Sequence, residues 1–316
     1  MNGAINYGNG IHAVDACYLR PRVSEVYLIE AGGHVALVDT GTNHSQPQVL
    51  HALQQIGVAP EQVDYVLLTH IHLDHAGGAG ALMHAFPNAR LVVHPRGARH
   101  MLEPSRLVAG SIAVYGLEEE RRLYGDVLPV DPARIVEAVD GLCIDLAGRQ
   151  FQVLDTPGHA LHHVCYRDAQ TGNFFTGDAL GICYPDFGTT AGPFVFPGTT
   201  PTQFDPSAMH ASIDLLLSHK PGAIYLTHFG RLTQVERVAA QVHRLIDAFV
   251  AIAERNQTGG ESRHLGICAD LGDLLVAEVR ALGSPLTHEQ IISLLTHDIE
   301  INAQGLEVWL DRARPT

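Results

Sequence analysis

The stretch that decides the fold is Thr69-His70-Ile71-His72-Leu73-Asp74-His75-Ala76-Gly77-Gly78. It follows a strand-like apolar run, residues 63–68, and places three histidines and one aspartate within six residues. Imidazole and carboxylate groups are ligands that suit zinc, iron and manganese. His70 and His72 are two residues apart, so an extended backbone directs both to the same side. Asp74 and His75 are adjacent, so they can supply ligands to a second metal ion only if the chain turns there. The pattern predicts one loop that feeds two neighbouring metal ions.

Further strand-like segments along the chain also end in polar residues. Each ends in a histidine or an aspartate that is flanked by glycine, proline or threonine. These endings read Asp39-Thr40-Gly41, Asp155-Thr156-Pro157-Gly158-His159, Thr176-Gly177-Asp178 and Thr227-His228. One such ending is common, but this series in order, together with the histidine loop, is hard to obtain by chance.

With these motifs the chain resembles the metallo-β-lactamase fold superfamily over roughly residues 10–232. The HxHxDH motif of that superfamily is matched by His70, His72, Asp74 and His75. The resemblance implies an α/β fold, a four-layer αββα sandwich, with the metals at the rim of two sheets. It also implies the ligand sets: His70, His72 and His159 for a first metal, Asp74, His75 and His228 for a second, and Asp178 bridging both. We expect a metallo-β-lactamase-like domain at residues 1–232 and a helical C-terminal extension at 233–316.

Other residues are expected to support the site or the substrate. Asp39 and His163 are predicted to orient metal ligands from outside the coordination sphere, whereas His162 is expected to be packed or solvated. The segment 180–202 and the segment 100–139 are predicted to line the substrate pocket, with 100–139 as a helical insertion or a mobile lid. Aromatic residues of the first segment would provide the lining, namely Tyr184, Phe187, Phe194 and Phe196, although packing of that loop is the simpler alternative.

Two divalent ions can activate water at neutral pH and polarise a substrate oxygen. We therefore expect a dinuclear hydrolase that uses a metal-bridging hydroxide, with Asp74 as the proton acceptor. Asp178 stands where the commonest zinc β-lactamases have cysteine, which argues against that class. A glyoxalase II-like enzyme would have Gly-Cys-Gly after the bridging aspartate, and this chain does not. The expected substrate is a small-molecule ester, lactone, thioester or phosphodiester. Zinc is the favoured metal, with iron or manganese as alternatives.

Two other functional classes stay open from the sequence. One is an iron-dependent oxygenase of the same fold, similar to persulfide dioxygenases, because the ligands suit iron as well as zinc. The other is a non-catalytic metal-binding protein. Seven candidate ligands argue against the second class, because a structural zinc site is closed by four ligands.

Composition excludes several kinds of partner. The chain has 316 residues and a formal net charge of −14, and it lacks the clustered lysines and arginines that nucleic acids require. It has no apolar run of the ~20 residues that span a membrane, and its start does not resemble a signal peptide. Five cysteines without a CxxC motif predict reduced thiols and a cytoplasmic protein. The C-terminal helices are expected to cap the site, to form a homodimer or to extend the core.

Helical periodicity at the C-terminal end predicts three helices, at residues 265–282, 287–296 and 299–312. Thr287 is predicted to cap the second of these, with Gln290 completing a capping box. Residues 256–261 are the predicted linker before them. Twenty histidines is a high count, and thirteen of them are expected to be incidental: His12, His34, His44, His51, His84, His94, His100, His210, His219, His243, His264, His288 and His297.

Overall fold

A computed structural model describes residues 3–257 and 260–313, and this part of the chain forms fifteen strands and ten α-helices. The strands are β1 (Ile5–Gly8), β2 (Ile11–Asp15), β3 (Glu25–Ala31), β4 (His34–Val38), β5 (Val63–Leu67), β6 (Arg90–Val93), β7 (Ile135–Glu137), β8 (Cys143–Leu146), β9 (Arg149–Asp155), β10 (Val164–Asp168), β11 (Phe174–Gly177), β12 (Ile182–Cys183), β13 (Val195–Phe196), β14 (Ile224–Leu226) and β15 (Gly230–Leu232).

The helices include two short ones beside the histidine loop and three long ones at the C-terminal end. They are α1 (Gln46–Gln55), α2 (Leu73–Ala76), α3 (Ala79–Ala85), α4 (Pro95–Leu102), α5 (Ser105–Tyr115), α6 (Leu117–Tyr124), α7 (Pro206–Ser218), α8 (Val235–Arg255), α9 (Glu261–Ala281) and α10 (His288–Ala313). Among the described helices, none is both long enough and apolar enough to cross a bilayer.

The chain divides into two compact units. The first comprises Met1–Asp155, His162–Gly177 and Pro221–Arg231, and the second comprises Thr156–Leu161, Asp178–Lys220 and Leu232–Thr316. The predicted domain boundary at residue 232 stays a prediction.

The first unit contains two mixed β-sheets. Strands β1 to β7 form a seven-stranded sheet in sequence order, antiparallel from β1 to β4 and parallel from β4 to β7. The second sheet has the order β15-β14-β11-β10-β9-β8. Tyr27 on β3 donates a hydrogen bond to the Leu226 carbonyl at 2.5 Å, and Tyr166 on β10 donates to the Leu68 carbonyl at 2.7 Å. These buried hydroxyls join the two sheets, so both sheets are anchored close to the histidine loop.

Apolar side chains fill both faces of the seven-stranded sheet. One face contributes Tyr27, Val38 and Leu67 to a buried cluster that also contains Phe151 and Phe175 of the other sheet. The opposite face packs against helices α1, α3 and α4 in a second cluster. Strands that are buried on both faces have continuous apolar runs in sequence, and β4 and β6 show this pattern.

Residues 100–139 are mostly helical, which confirms the helical alternative for this segment. Helices α5 and α6 follow one another, and Gly116 separates them with a φ of +79°. A positive φ suits glycine because it has no Cβ. The chain then returns to the first sheet through β7, parallel to β6.

In the second unit, helices α8, α9 and α10 follow a small hairpin, β12–β13. The capping box is confirmed, since Gln290 N donates to Thr287 Oγ1 and Thr287 N donates to Gln290 Oε1. The predicted break between residues 296 and 299 is wrong, because α10 is continuous from His288 to Ala313. Asp298 is buried at this point and accepts a hydrogen bond from Tyr184 at 2.9 Å. The sequence pattern suggested a loop here because Asp298 is polar, although it lies on the packed face of the helix. Of the predicted linker, Thr258 and Gly259 lie outside the described residues.

Glu25, at the start of β3, is fully buried and accepts hydrogen bonds from the Tyr7 hydroxyl at 3.2 and 3.3 Å. Burial raises the pKa of Glu25 to about 7, while hydrogen bonds from Tyr27 and Tyr7 oppose the shift. A folded-state pKa above the unfolded value means that the folded protein binds more protons. The free energy of unfolding should therefore fall as the pH rises from the unfolded pKa towards 7, by at most about 3 kcal/mol.

Glu25→Gln should remove this part of the pH dependence, because glutamine does not titrate. Denaturant unfolding of the wild-type protein and the variant between pH 4 and pH 8 measures the difference. Equal pH dependence in the two proteins would show that folding does not raise the pKa of Glu25.

Candidate metal centre

The histidine loop forms as its spacing predicts. It leaves the end of β5, runs extended through His72, whose ψ is 147°, and then enters the single turn of α2. His70 Nε2 lies 2.8 Å from His72 Nδ1, with the two ring planes at 89°. The extended backbone therefore brings these two nitrogens close together. The turn of α2 directs Asp74 and His75 away from them.

A second group of donor atoms lies in the same unit. His228 follows β14, and its Nε2 lies 3.2 Å from His75 Nε2 and 3.2 Å from Asp74 Oδ2. His75 Nε2 lies 3.6 Å from the same carboxylate oxygen. The three side chains are 0%, 5% and 18% exposed for His75, His228 and Asp74. The three ligand atoms thus converge although His228 lies 153 residues after His75.

The outer nitrogens of these two imidazoles are held by hydrogen bonds. His75 Nδ1 lies 2.8 Å from Asp39 Oδ2, and His228 Nδ1 lies 2.9 Å from the Val23 carbonyl oxygen. Both oxygens are acceptors, so each Nδ1 carries the hydrogen and each neutral ring presents a lone pair at Nε2. Two lone pairs and a carboxylate oxygen facing one another call for a cation. The donor set therefore fits a divalent metal ion.

The second unit contains a similar arrangement with one histidine and one aspartate. His159 Nδ1 donates to the Gly198 carbonyl at 2.9 Å, and His159 Nε2 lies 3.3 Å from Asp178 Oδ2. Thr200 Oγ1 donates to the His159 carbonyl at 2.9 Å and holds the backbone at the same place. The side chains of His159 and Asp178 are at least 95% buried. An imidazole lone pair that faces a buried carboxylate again fits a cation between them.

Asp39 connects three parts of the first unit. Its fully buried carboxylate accepts hydrogen bonds from Thr69 N at 2.8 Å, from Thr69 Oγ1 at 2.9 and 3.0 Å, and from Thr227 Oγ1 at 2.7 Å. It also accepts from His75 Nδ1. Thr69 and Thr227 immediately precede His70 and His228. Asp39 therefore fixes the backbone in front of two histidines and the ring of a third, as a supporting residue must. Its effect on metal affinity stays a prediction.

His163 and His162 both lie beside the histidine loop. The His163 ring centroid is 5.1 Å from that of His70, and His162 is 5.4 Å from His72. A Cβ at Gly177, where φ is +47°, would lie 2.7 Å from His163 Nε2 and 2.6 Å from Thr69 Oγ1. Glycine at this position lets β11 approach the loop. His163 thus packs beside the loop, and its supporting role stays a prediction. His162 is packed, 7% exposed.

The aromatic residues predicted to line the substrate pocket are buried, with at most 4% of each exposed. Tyr184 contacts Phe187 and Phe196, and Phe187 contacts Phe194, at centroid distances of 5.6–5.9 Å. The Tyr184 hydroxyl donates to Asp298 on α10. These contacts describe an aromatic cluster that packs the loop within the second unit. A role in substrate binding stays a prediction.

Tyr184→Phe should lower the free energy of unfolding by about 1 kcal/mol, because Asp298 loses this donor. Phe187→Ala should cost about 3–5 kcal/mol through the cavity that it leaves. Denaturant unfolding measures both changes. If either variant instead alters kcat/KM for one substrate class against another, with stability and metal content unchanged, the loop contacts the substrate.

Several partners in the site could not be found from sequence. The Val23 and Gly198 carbonyls orient two histidines, and any residue type supplies a carbonyl. Thr69 and Thr227 offered a signal, because each stands directly before a ligand candidate in a Thr-His pair.

Comparison with known proteins agrees with this geometry. A family model described as the metallo-beta-lactamase superfamily matches residues 19–228. The chain belongs to the metallo-beta-lactamase superfamily. The match contains every predicted ligand and ends before α8, so the C-terminal helices lie outside the superfamily core. The expected fold, an α/β sandwich with mixed sheets and a C-terminal helical extension, is confirmed.

Relatives within the superfamily are distant. The chain is 25% identical over 232 residues to the metallo-beta-lactamase fold-containing protein ST1585 of Sulfurisphaera tokodaii, a match that covers 70% of this chain and 78% of that protein. It is 29% identical over 186 residues to a hydroxyacylglutathione hydrolase of Xanthomonas campestris, covering 59% of this chain and 54% of the hydrolase. The chain thus spans about half the length of that enzyme.

Solved structures share the fold over nearly the whole chain. The crystal structure of ST1585 superposes with a TM-score of 0.65 at 22% identity, covering 95% of this chain and 98% of that one. The metallo-beta-lactamase family protein TTHA1429 from Thermus thermophilus superposes with a TM-score of 0.64, also at 22% identity, covering 97% and 95%. At this identity the likeness establishes the superfamily fold alone.

Proposed function

We propose that the protein is a dinuclear metal-dependent hydrolase of a small-molecule ester, lactone, thioester or phosphodiester. The observation that carries the proposal is the pairing of imidazole lone pairs with carboxylate oxygens, at His75, His228 and Asp74 and again at His159 and Asp178. An imidazole lone pair that faces a carboxylate oxygen is unfavourable unless a cation lies between them. Among the ester-type substrates, a thioester is supported by relatives named hydroxyacylglutathione hydrolase and atrochrysone carboxyl ACP thioesterase.

We infer the ligand sets from the superfamily resemblance together with these pairs. His70, His72 and His159 would hold one ion, Asp74, His75 and His228 would hold the other, and Asp178 would serve both. Zinc is the favoured metal because imidazole and carboxylate ligands suit it, and iron and manganese accept the same donors.

Two bound divalent ions would supply a Lewis acid and would lower the pKa of a water molecule towards 7. The protein's own residues would orient the metal ligands and would transfer protons to and from that water. Asp39 and the Val23 carbonyl keep His75 and His228 in the tautomer that presents Nε2. Asp74 is the one carboxylate of its group that is partly exposed, at 18%, so it is placed to accept a proton and return it to solvent.

The purified protein should contain at least two metal ions per chain, because two sets of donor atoms are present in the candidate metal centre. Elemental analysis of protein prepared without chelator, before and after metal supplementation, measures this number. A value that stays near one after supplementation would contradict the dinuclear proposal.

A substrate panel tests the reaction. We expect the metal-loaded protein to hydrolyse at least one of a p-nitrophenyl ester, a p-nitrophenyl phosphodiester, a lactone and a thioester, and Asp74→Asn to lose that activity. Iron as the resident metal, with oxygen consumption and no hydrolysis, would instead identify an oxygenase.

We also propose a cytoplasmic location and a small-molecule substrate, with no nucleic-acid or membrane partner. The five cysteines are free of disulfides, which is typical of a reducing compartment. The formal net charge of −14 disfavours binding to phosphate backbones. A homodimer formed through the C-terminal helices stays a prediction.

A further inference from the structure

Helices α9 and α10 bring together a group of metal-binding side chains outside the superfamily core. His264 and Cys268 lie one turn apart on α9, and Glu300 lies on α10. One ligand atom from each of these residues lies within 4.8 Å of the other two. All three belong to the second unit, and none of them belongs to the ligand set proposed above.

The donor atoms meet at one nitrogen of the imidazole. His264 Nε2 lies 3.1 Å from Glu300 Oε2 and 3.5 Å from Cys268 Sγ. The other nitrogen, Nδ1, lies 3.0 Å from Oε2 of Glu307, which is about two helical turns after Glu300 on α10. The imidazole therefore points one nitrogen at a supporting carboxylate and the other at a thiol and a second carboxylate.

This is the arrangement by which proteins orient a metal-binding histidine. A carboxylate that accepts from Nδ1 fixes the tautomer and leaves the Nε2 lone pair for the metal. Glu307 has the same relation to His264 as Asp39 has to His75. Arg263 Nε lies 3.7 Å from the other oxygen of Glu307 and helps to keep that carboxylate in position.

We propose that His264, Cys268 and Glu300 form an additional site for a single zinc-like divalent ion. Imidazole, thiolate and carboxylate are all zinc ligands, and three protein ligands leave one tetrahedral position for water. The thiolate and the carboxylate together balance the charge of the ion. When the ion binds, the Cys268 thiol releases its proton to solvent and the sulfur–metal bond forms.

Exposure of the cluster suits reversible binding. The side chains of His264 and Glu300 are 25% and 49% exposed, so an ion can enter from solvent. Because the ligands come from two helices, a bound ion would link α9 to α10. The site would therefore stabilise the C-terminal helices and would not take part in hydrolysis.

Cobalt titration tests the site separately from the core. A thiolate bound to Co²⁺ gives a sulfur-to-metal charge-transfer absorption in the near ultraviolet, and the proposed core ligands include no cysteine. The wild-type protein, freed of metal and titrated with Co²⁺, should show this band. Cys268→Ser should abolish it and lower the total bound cobalt by one equivalent. Cys143→Ser, which removes an exposed thiol on β8, should leave the band unchanged.

Variants of the other residues separate ligands from the supporting group. His264→Gln and Glu300→Gln should abolish the band, whereas Glu307→Gln should weaken cobalt binding by about 10–100-fold. Far-ultraviolet circular dichroism confirms that each variant is folded. Hydrolytic activity should stay at the wild-type level in Cys268→Ser, so the result does not depend on the proposed reaction.

No band in the wild-type protein, or a band that persists in Cys268→Ser, would overturn the proposal. The cluster would then be an ion-pair network in which a protonated His264 donates to Glu300 and Glu307.

Discussion

Asp178→Ala should remove more activity than any other single ligand substitution. The carboxylate is 4% exposed and lies 3.3 Å from His159 Nε2, and we propose that it serves both ions. Its loss should release both metals and lower kcat/KM by about 10³-fold or more, since each Lewis acid contributes several kcal/mol. Elemental analysis of the purified variant and kinetics on the substrate identified by the panel measure the two effects.

Asp155→Ala is the matched control for this substitution. Asp155 ends β9 much as Asp178 follows β11, but its side chain is 46% exposed and lies beside His94. The control should retain the wild-type metal content and nearly full activity. If Asp178→Ala keeps both metals and its activity, Asp178 is not a shared ligand, and the proposed coordination is wrong.

Asp39→Ala should destabilise the fold and weaken metal binding together. The substitution leaves the Thr69 and Thr227 hydroxyls and His75 Nδ1 without their shared acceptor in a fully buried place. Removing one partner of such a buried charged group costs about 3–5 kcal/mol. Metal affinity should fall by about 10–100-fold, as it does when a residue that orients a ligand is lost. Asp39→Asn should cost less, because the amide oxygen still accepts.

Two measurements separate these effects. Denaturant unfolding of chelator-treated protein gives the metal-free stability, and metal titration gives the affinity. Asp168→Ala is the control, because Asp168 is equally buried but pairs with Arg149 at 2.7 Å, and its hydrogen bonds go to Arg149 and its own turn. It should lose similar stability and keep its metal affinity. If both variants lose metal to the same degree, Asp39 acts only through stability.

Sequence alone determined the parts of this protein that depend on neighbouring residues. Strand and helix geometry explains the two-residue spacing of His70 and His72 and the turn before His75. The histidine loop can therefore be recognised from the ten residues 69–78 alone. The Thr287–Gln290 capping box is local in the same way and formed as predicted. The resemblance to the superfamily was carried by the histidine loop and the polar strand endings, and it implied the fold.

Tertiary structure decided everything that depends on which distant segments meet. His264 was expected to be incidental, because in the sequence Glu300 and Glu307 are more than thirty residues away; only the packing of α9 on α10 brings them together. Asp298 resembled a helix break until its burial against Tyr184 became visible. The carbonyls of Val23 and Gly198 orient histidines but leave no trace in the sequence, because every residue has a carbonyl. Hydrogen bonds and metal ligation act over about 3 Å in space, whereas sequence patterns report only what lies within a few residues along the chain.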